Sequence, residues 1–204
     1  KKLQRKKLNE INANNNNKEK DKKDNKNKYK HNNFLEDSPE DQQLIAKAFN
    51  QAMHDLDDKL RIMQNETNDT SGTTIVCALV TESHVYSAWL GDSRLLLSTH
   101  LECVEMTEDH KPINPKERRR IETAGGFVYA NRVDGQLAMS RALGDFVFKQ
   151  SSSMGVDQQK VICKPELRVH ERSNDDWFLV LACDGVFDVL SNEQTTQLLD
   201  TWYA

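Results

Sequence analysis

The feature that most constrains this chain is an apolar run that ends in two closely spaced carboxylates. Residues 177–181 read WFLVL, and residues 182–188 continue as ACDGVFD. An apolar run of this length bounded by polar residues predicts a strand buried on both faces. Asp184 is then expected at the strand tip, and Asp188 shares a face with it if the chain turns helically. Such a pair favours a hard divalent cation, whereas the alternative is a simple Asp-Gly turn before a helix.

A second carboxylate follows an apolar segment in the same way. Residues 91–94 read GDSR and come directly after a run that predicts another strand. Because two strands of one sheet can bring their ends together, Asp92 can join Asp184 and Asp188 in one oxygen-rich cluster. The alternative is that Asp92 is a turn residue whose carboxylate pairs locally with Arg94.

Further motifs lie between these two carboxylate segments. They are DHKP at 109–112, a charged helical pattern at 115–124, AGG at 124–126 and RVDGQLAMSRALGD at 132–145. Each motif is weak alone, but the whole series, in this order and spacing, resembles the metal-dependent serine/threonine protein phosphatases of type 2C. The likeness runs from about Asp41 to the end of the chain.

The resemblance implies an α+β fold, built as an antiparallel β-sandwich flanked by helices. It also implies that Asp184 binds a catalytic pair of Mg²⁺ or Mn²⁺ ions, and that Asp92 and Asp188 bind a weaker third metal. A metal-activated water then hydrolyses phosphoserine and phosphothreonine in proteins. Phosphorylated proteins are therefore the expected partners, and the polar segment 146–160 is expected to be the mobile flap beside the site.

The sequence departs from the family pattern near both ends. The family opens with an Arg, a Glu-Asp pair and a DGHGG segment and closes with an Asp-Asn pair, and these have no counterpart at the corresponding positions. We therefore expect the central part of a type 2C domain, incomplete at both ends, and assign it no catalytic side chain besides the metal ligands. The 204-residue chain alone is expected to bind Mn²⁺ weakly and to be nearly inactive.

Three explanations of that departure are open. The first, which we favour, is a segment of an active phosphatase. The second is a catalytically dead phosphatase-like module that binds a phosphoprotein or a kinase partner. The third is that another chain supplies the missing strands.

The composition divides the chain into two parts. Residues 1–30 hold 12 Lys or Arg and 4 Asp or Glu, a net charge of +8, so that the remainder carries −12 of the whole-chain −4. Such a segment has too little apolar surface to offset its ordering entropy. We predict a disordered Lys/Asn-rich segment at 1–37 and a partial phosphatase-like domain at 38–204. A basic nucleic-acid patch or a localisation signal is the alternative for the first part, and we expect no nucleic-acid partner.

The apolar and cysteine patterns indicate the compartment. No stretch reaches the ~18 apolar residues needed to span a bilayer, and no apolar core follows the basic start as in a secretory signal. The cysteines at 77, 103, 163 and 183 are widely spaced and form no CxxC pair. They predict reduced thiols in an intracellular protein of the cytoplasm or nucleus, which we expect to be a monomer.

The remaining pattern predicts the order of helices and strands. A helix begins with Ser38 as N-cap and Pro39 at its first position, and its apolar stripe continues through Leu56 to Met63. Predicted strands cover 73–80, 84–90, 94–98, 101–106, 127–129 and 161–170, and further predicted helices cover 115–124 and 191–202.

The other charged motifs are expected to serve the fold rather than the chemistry. By residue type His110 beside Asp109 could act as a general base, but the resemblance implies that the stretch 109–112 is not the acid or base, so we expect a structural role for His110. Arg132 and Arg141 are candidates for phosphate contacts by charge alone. The resemblance suggests ion pairs instead, with Asp145 as the partner of Arg141 at spacing i, i+4.

Overall fold

The computed structural model describes residues 38–203, and the predicted disordered segment 1–37 lies outside the described residues. The helices are α1 (Pro39–Thr67), α2 (Pro115–Thr123), α3 (Asp184–Phe187) and α4 (Asn192–Tyr203). The strands are β1 (Gly72–Thr73), β2 (Ile75–Val80), β3 (His84–Leu90), β4 (Arg94–Thr99), β5 (Cys103–Glu105), β6 (Val128–Tyr129), β7 (Arg132–Val133), β8 (Leu143–Gly144), β9 (Glu166–Glu171) and β10 (Asp176–Ala182). In this part of the chain no helix is both long and apolar enough to cross a bilayer.

Two three-stranded antiparallel sheets form the centre of the domain. One has the strand order β2-β3-β9 and the other β10-β4-β5. Their facing side chains make one apolar cluster, in which Val85 of β3 packs with Leu95 and Leu97 of β4. Strands that alternate inward apolar side chains can bury a core between two such sheets. The α+β fold with an antiparallel sandwich and flanking helices is therefore confirmed.

Helix α1 lies on the β2-β3-β9 sheet. Its buried residues are Ile45, Met53, Asp57 and Gln64. Their spacing follows one face of a 3.6-residue helix, and Met53 packs there against Leu90 of β3. Leu56 and Met63, which the predicted stripe included, are 42% and 59% exposed.

A third cluster lies beneath α2. Its buried members are Ile121, Val133, Ala142, Phe148 and Val161. The predicted polar loop 146–160 contributes Phe148 to this core and contains two 3₁₀ turns, Phe146–Phe148 and Val156–Gln158. The predicted strand 161–170 begins only at Glu166.

Strand β10 differs from the prediction of a strand buried on both faces. Trp177 is 49% exposed and Leu181 is 44% exposed. The reason is its position at the edge of the β10-β4-β5 sheet, where, among residues 38–203, only β4 pairs with it. Leu179 of β10 still packs in the sandwich core.

Candidate metal site

Strand register places two of the predicted metal ligands at one edge of a sheet. In the antiparallel pair of β10 and β4, Ala182 lies opposite Arg94. Asp92 precedes Arg94 by two residues, and Asp184 follows Ala182 by two residues. Antiparallel strands put the start of one beside the end of the other. Both carboxylates therefore leave the β10-β4-β5 sheet at the same edge, the one formed by the end of β10 and the start of β4.

The third predicted ligand follows on a helical turn. Asp184 begins the four-residue helix α3, and Asp188 is its C-cap. The backbone N–H of Asp188 donates to the carbonyl oxygen of Asp184 at 2.7 Å, which is the i, i+4 arrangement expected from the sequence. Both residues are exposed. Across the described chain, no three His, Cys, Asp or Glu side chains converge closely enough to hold a metal, so the ligand set remains a prediction.

Asp92 is buried and already holds a cationic group. Its side chain is 7% exposed, and Lys111 Nζ lies 2.5 Å from its Oδ2. A carboxylate that accepts an ammonium group at this distance offers the oxygen chemistry that a hard divalent ion also uses. In the structure, therefore, the counter-charge of Asp92 is the ammonium group of Lys111. The alternative pairing of Asp92 with Arg94 is not formed, because Arg94 binds another residue.

Arg94 ties this edge of the sheet to the segment that follows Asp184. Its Nε and Nη2 donate to the two carboxylate oxygens of Asp109 at 2.8 and 2.9 Å. Its Nη1 donates to Asn192 Oδ1 of α4 at 3.0 Å, and its guanidinium lies 5.1 Å from the ring centroid of Phe187 in α3. The hydrogen bond to Asp109 raises the pKa of Arg94 above its ordinary value. Bidentate pairs of this kind are geometrically specific. Arg94 therefore positions the Asp109 segment and the segment of α3 and α4 relative to β4.

The sequence did not identify this role of Arg94. The only available signal was the presence of opposite charges in two polar motifs, GDSR and DHKP. Those motifs are separated by 15 residues between Arg94 and Asp109. Local pattern does not specify a pair across such a separation.

The turn before Asp92 requires glycine. Gly91 has φ +92°, a left-handed conformation that glycine adopts readily. Its N–H donates to His110 Nδ1 at 3.1 Å, and the His110 N–H donates to the Gly91 carbonyl at 2.9 Å. Burial lowers the pKa of His110, and its ring stacks on Trp89 with a centroid distance of 5.7 Å. These contacts agree with the structural role expected for His110.

A buried ion network stands behind this turn. Arg141 Nη2 donates to Glu117 Oε1 at 2.6 Å and to Glu166 Oε1 at 2.8 Å. Arg120 Nη1 reaches Glu117 Oε2 at 2.6 Å. The expectation of ion pairs for Arg141 is confirmed, but its predicted partner Asp145 is wrong. The intervening chain is not helical, since Asp145 has φ +53°, so the i, i+4 spacing does not bring the two side chains together.

Comparison with known proteins identifies the family of this chain. The sequence profile of the family "Protein phosphatase 2C" matches residues 4–204. Protein phosphatase 1A of Bos taurus is 45% identical over 143 residues, which cover 69% of this chain and 37% of the relative. Protein phosphatase ppm-1.A of Caenorhabditis elegans is 39% identical over 173 residues, which cover 83% of this chain and 36% of the relative. The chain thus spans a little over a third of the length of these curated relatives.

Solved structures agree with the sequence comparison. A Caenorhabditis elegans sex determining protein matches with a TM-score of 0.66 and 30% identity, over 83% of this chain and 40% of that chain. The serine-threonine phosphatase 2C from Toxoplasma gondii matches with a TM-score of 0.66 and 25% identity, over 82% of this chain and 60% of that chain. With a family match over almost its whole length and this sandwich architecture, the chain belongs to the protein phosphatase 2C family.

Proposed function

We propose that the protein carrying this sequence is a metal-dependent phosphatase of phosphoserine and phosphothreonine in proteins. The observation that carries the proposal is the family match over residues 4–204. The placement of Asp92 and Asp184 at one sheet edge supports it. The relatives' printed names describe protein phosphatases.

The residues proposed to hold Mg²⁺ or Mn²⁺ are Asp184, Asp188 and Asp92. A metal pair at Asp184 would lower the pKa of a water so that hydroxide is available near neutrality, and Asp92 and Asp188 would hold a weaker third metal. The chain's own contribution is positioning. Arg94 connects the Asp92 turn to α3 and α4. The exposed position of Asp184 and Asp188 suits a phosphorylated side chain presented on another protein.

We further propose an intracellular, monomeric protein that acts in the cytoplasm or nucleus. All four cysteines are free thiols in the structure, which fits a reducing compartment. The acidic domain is expected to take phosphorylated proteins rather than nucleic acid as partners.

The proposal is tested by phosphatase assays on a phosphothreonine peptide. The longest natural form of the protein should turn over the peptide with Mn²⁺, at about 1 s⁻¹ or more, and lose this activity with a chelator. Asp184→Asn should abolish turnover, whereas Asp175→Asn, the same change at an exposed turn residue, should not. The 204-residue chain is expected to bind Mn²⁺ weakly and to show negligible turnover. Asp188→Ala should lower its Mn²⁺ affinity further.

Two outcomes would count against the enzyme. Activity that survives chelation would exclude the metal-dependent reaction. Binding of the phosphopeptide without turnover under Mg²⁺ or Mn²⁺ would instead support the catalytically dead module.

A further inference from the structure

The strongest unassigned feature near the site is the lysine on Asp92. Lys111 lies in the segment between β5 and α2, 19 residues from Asp92 in sequence. Its Nζ is 2.5 Å from Asp92 Oδ2 and 3.9 Å from Asp109 Oδ2. The side chain of Lys111 is 38% exposed, whereas that of Asp92 is 7% exposed. A partly exposed ammonium thus neutralises a buried carboxylate and has a second acidic partner within reach.

This arrangement balances charge without any metal. Asp92 and Asp109 supply two negative charges, and Lys111 and Arg94 supply two positive charges. A buried carboxylate without a counter-charge is costly. Lys111 removes that cost in the structure.

A divalent ion cannot share Asp92 with Lys111 on equal terms. A Mg²⁺ ion lies about 2.1 Å from its carboxylate oxygens. Such an ion would stand within a few ångströms of the ammonium, and two like charges at that separation repel strongly. Lys111 therefore has to leave Asp92 when a divalent ion binds there. Asp109 is close enough to receive it, so the ammonium need not return fully to water.

We propose that Lys111 is an internal counter-cation, which pairs with Asp92 and competes with a divalent ion for this carboxylate. Lys111 then sets the affinity of the Asp92-dependent site, as a positioning residue rather than a catalytic one. The proposal rests on the assignment of Asp92 as a metal ligand in the proposed function. It adds that the weakness of this site is built into the chain by a lysine.

The test is Mn²⁺ binding to the 204-residue chain, measured by titration calorimetry without any activity assay. Lys111→Met should tighten the Asp92-dependent site by about fivefold to tenfold, the range expected for loss of a partly buried competing ion pair. In the Asp92→Asn background the same change should have no effect. Lys116→Met removes a charge of the same sign from a 76% exposed side chain that pairs with Glu166, and should change the affinity by less than about twofold because exposed charges are screened.

The outcomes distinguish a failure of the metal-site assignment from a failure of the counter-cation proposal. If Asp92→Asn leaves Mn²⁺ affinity unchanged, Asp92 is not a ligand and the proposed site assignment fails. If Asp92→Asn weakens binding but Lys111→Met does not tighten it, the counter-cation proposal alone is overturned. Lys111→Arg keeps the charge at this position, so it should not tighten binding, and a tightening equal to that of Lys111→Met would also overturn the proposal.

A measurement on the unmodified chain avoids dependence on the folding of variants. The ammonium resonance of Lys111, assigned by its loss in Lys111→Arg, should shift during a Mg²⁺ titration with the same midpoint as the binding isotherm. An unchanged resonance at saturating Mg²⁺ would show that the ammonium remains where it was, and would overturn the proposal.

Discussion

Lys149 and Asp57 form a buried ion pair that joins α1 to the segment after β8. Lys149 Nζ donates to Asp57 Oδ1 at 2.8 Å and to Oδ2 at 2.9 Å. The pair is further satisfied, because Lys149 also donates to the Ala142 carbonyl at 2.9 Å and the Gly144 N–H donates to Asp57 at 2.8 Å. Helix α1 is thereby fastened to the beginning of the segment expected to act as a flap.

Removal of this lysine should strongly destabilise the fold. Lys149→Met leaves Asp57 as a buried carboxylate without its counter-charge, and the free energy of unfolding should fall by about 3–5 kcal/mol. Urea denaturation monitored by circular dichroism measures the change. Lys47→Met, at an exposed site of the same helix α1, should stay within about 0.5 kcal/mol of the unmodified chain.

The double variant reports whether the pair acts as a unit. Asp57→Asn combined with Lys149→Met should lose less than the sum of the two single changes, because the stranded charge is removed. Strict additivity would show that the two residues act independently.

Acid should weaken the fold through Glu117. Burial opposes ionisation of Glu117, but its bonds with Arg141 and the charge of Arg120 outweigh burial and lower its pKa from 4.5 to about 2. A lowered folded pKa means that this stabilisation is complete above pH 4.5 and is lost as the pH falls toward 2. Its size at neutral pH is about 3 kcal/mol.

Glu117→Gln should therefore lower the free energy of unfolding at pH 7 and flatten its decline in acid. Urea denaturation from pH 6 to pH 3 measures both effects. Glu122→Gln, at a half-exposed site on the same helix, should keep the acid dependence of the unmodified chain. Equal acid slopes for Glu117→Gln and the unmodified chain would contradict the prediction.

Alkaline pH should loosen the contact between α1 and the second 3₁₀ turn. His54 Nδ1 donates to the Asn50 carbonyl at 2.8 Å, and Nε2 donates to Asp157 Oδ1 at 2.9 Å. Both partners are acceptors, so only the protonated ring makes both bonds. Burial lowers the pKa of His54, but the two hydrogen bonds and nearby carboxylates raise it overall.

The sign of the pH effect follows from the raised pKa. The contribution of His54 is complete below pH 6.5 and is lost as the pH rises through the folded pKa. Hydrogen-exchange protection factors for residues 156–158 should fall between pH 6 and pH 8.5, by an amount worth less than about 1 kcal/mol for a partly exposed pair. His54→Gln should remove this dependence and His84→Gln on β3 should not. Protection factors of residues 156–158 that stay constant with pH in the unmodified chain would refute the predicted role of His54.

Substitution of Gly91 should disturb the turn that presents Asp92. A Cβ at this position would lie 2.3 Å from Thr74 Cγ2, and the backbone has φ +92°. Gly91→Ala should cost about 3 kcal/mol of unfolding free energy and weaken Mn²⁺ binding. Gly155→Ala, where the nearest atom is 3.6 Å from the new Cβ, should cost less than about 1 kcal/mol. Equal stability of the two variants in thermal denaturation would contradict this.

The sequence by itself determined the order and type of most elements. The predicted helix starting at Pro39 and the strands 84–90 and 94–98 match α1, β3 and β4 within a residue or two, apart from the far end of α1. Caps and apolar periodicity are properties of neighbours along the chain, so they can be read without the fold. Asp92 and Asp184 stand out in the same way because each follows an apolar run, whereas their assignment as metal ligands rests on the resemblance and stays a prediction.

Only the tertiary structure decided which charged residues meet. Asp92 pairs with Lys111 rather than Arg94, and Arg94 binds Asp109. Arg141 binds Glu117, 24 residues away, rather than Asp145. Strand register and the left-handed turns between elements bring these groups together, and neither follows from local sequence. Many alternative pairs have similar Coulomb energies in water, so burial and geometry select the partners in the folded protein.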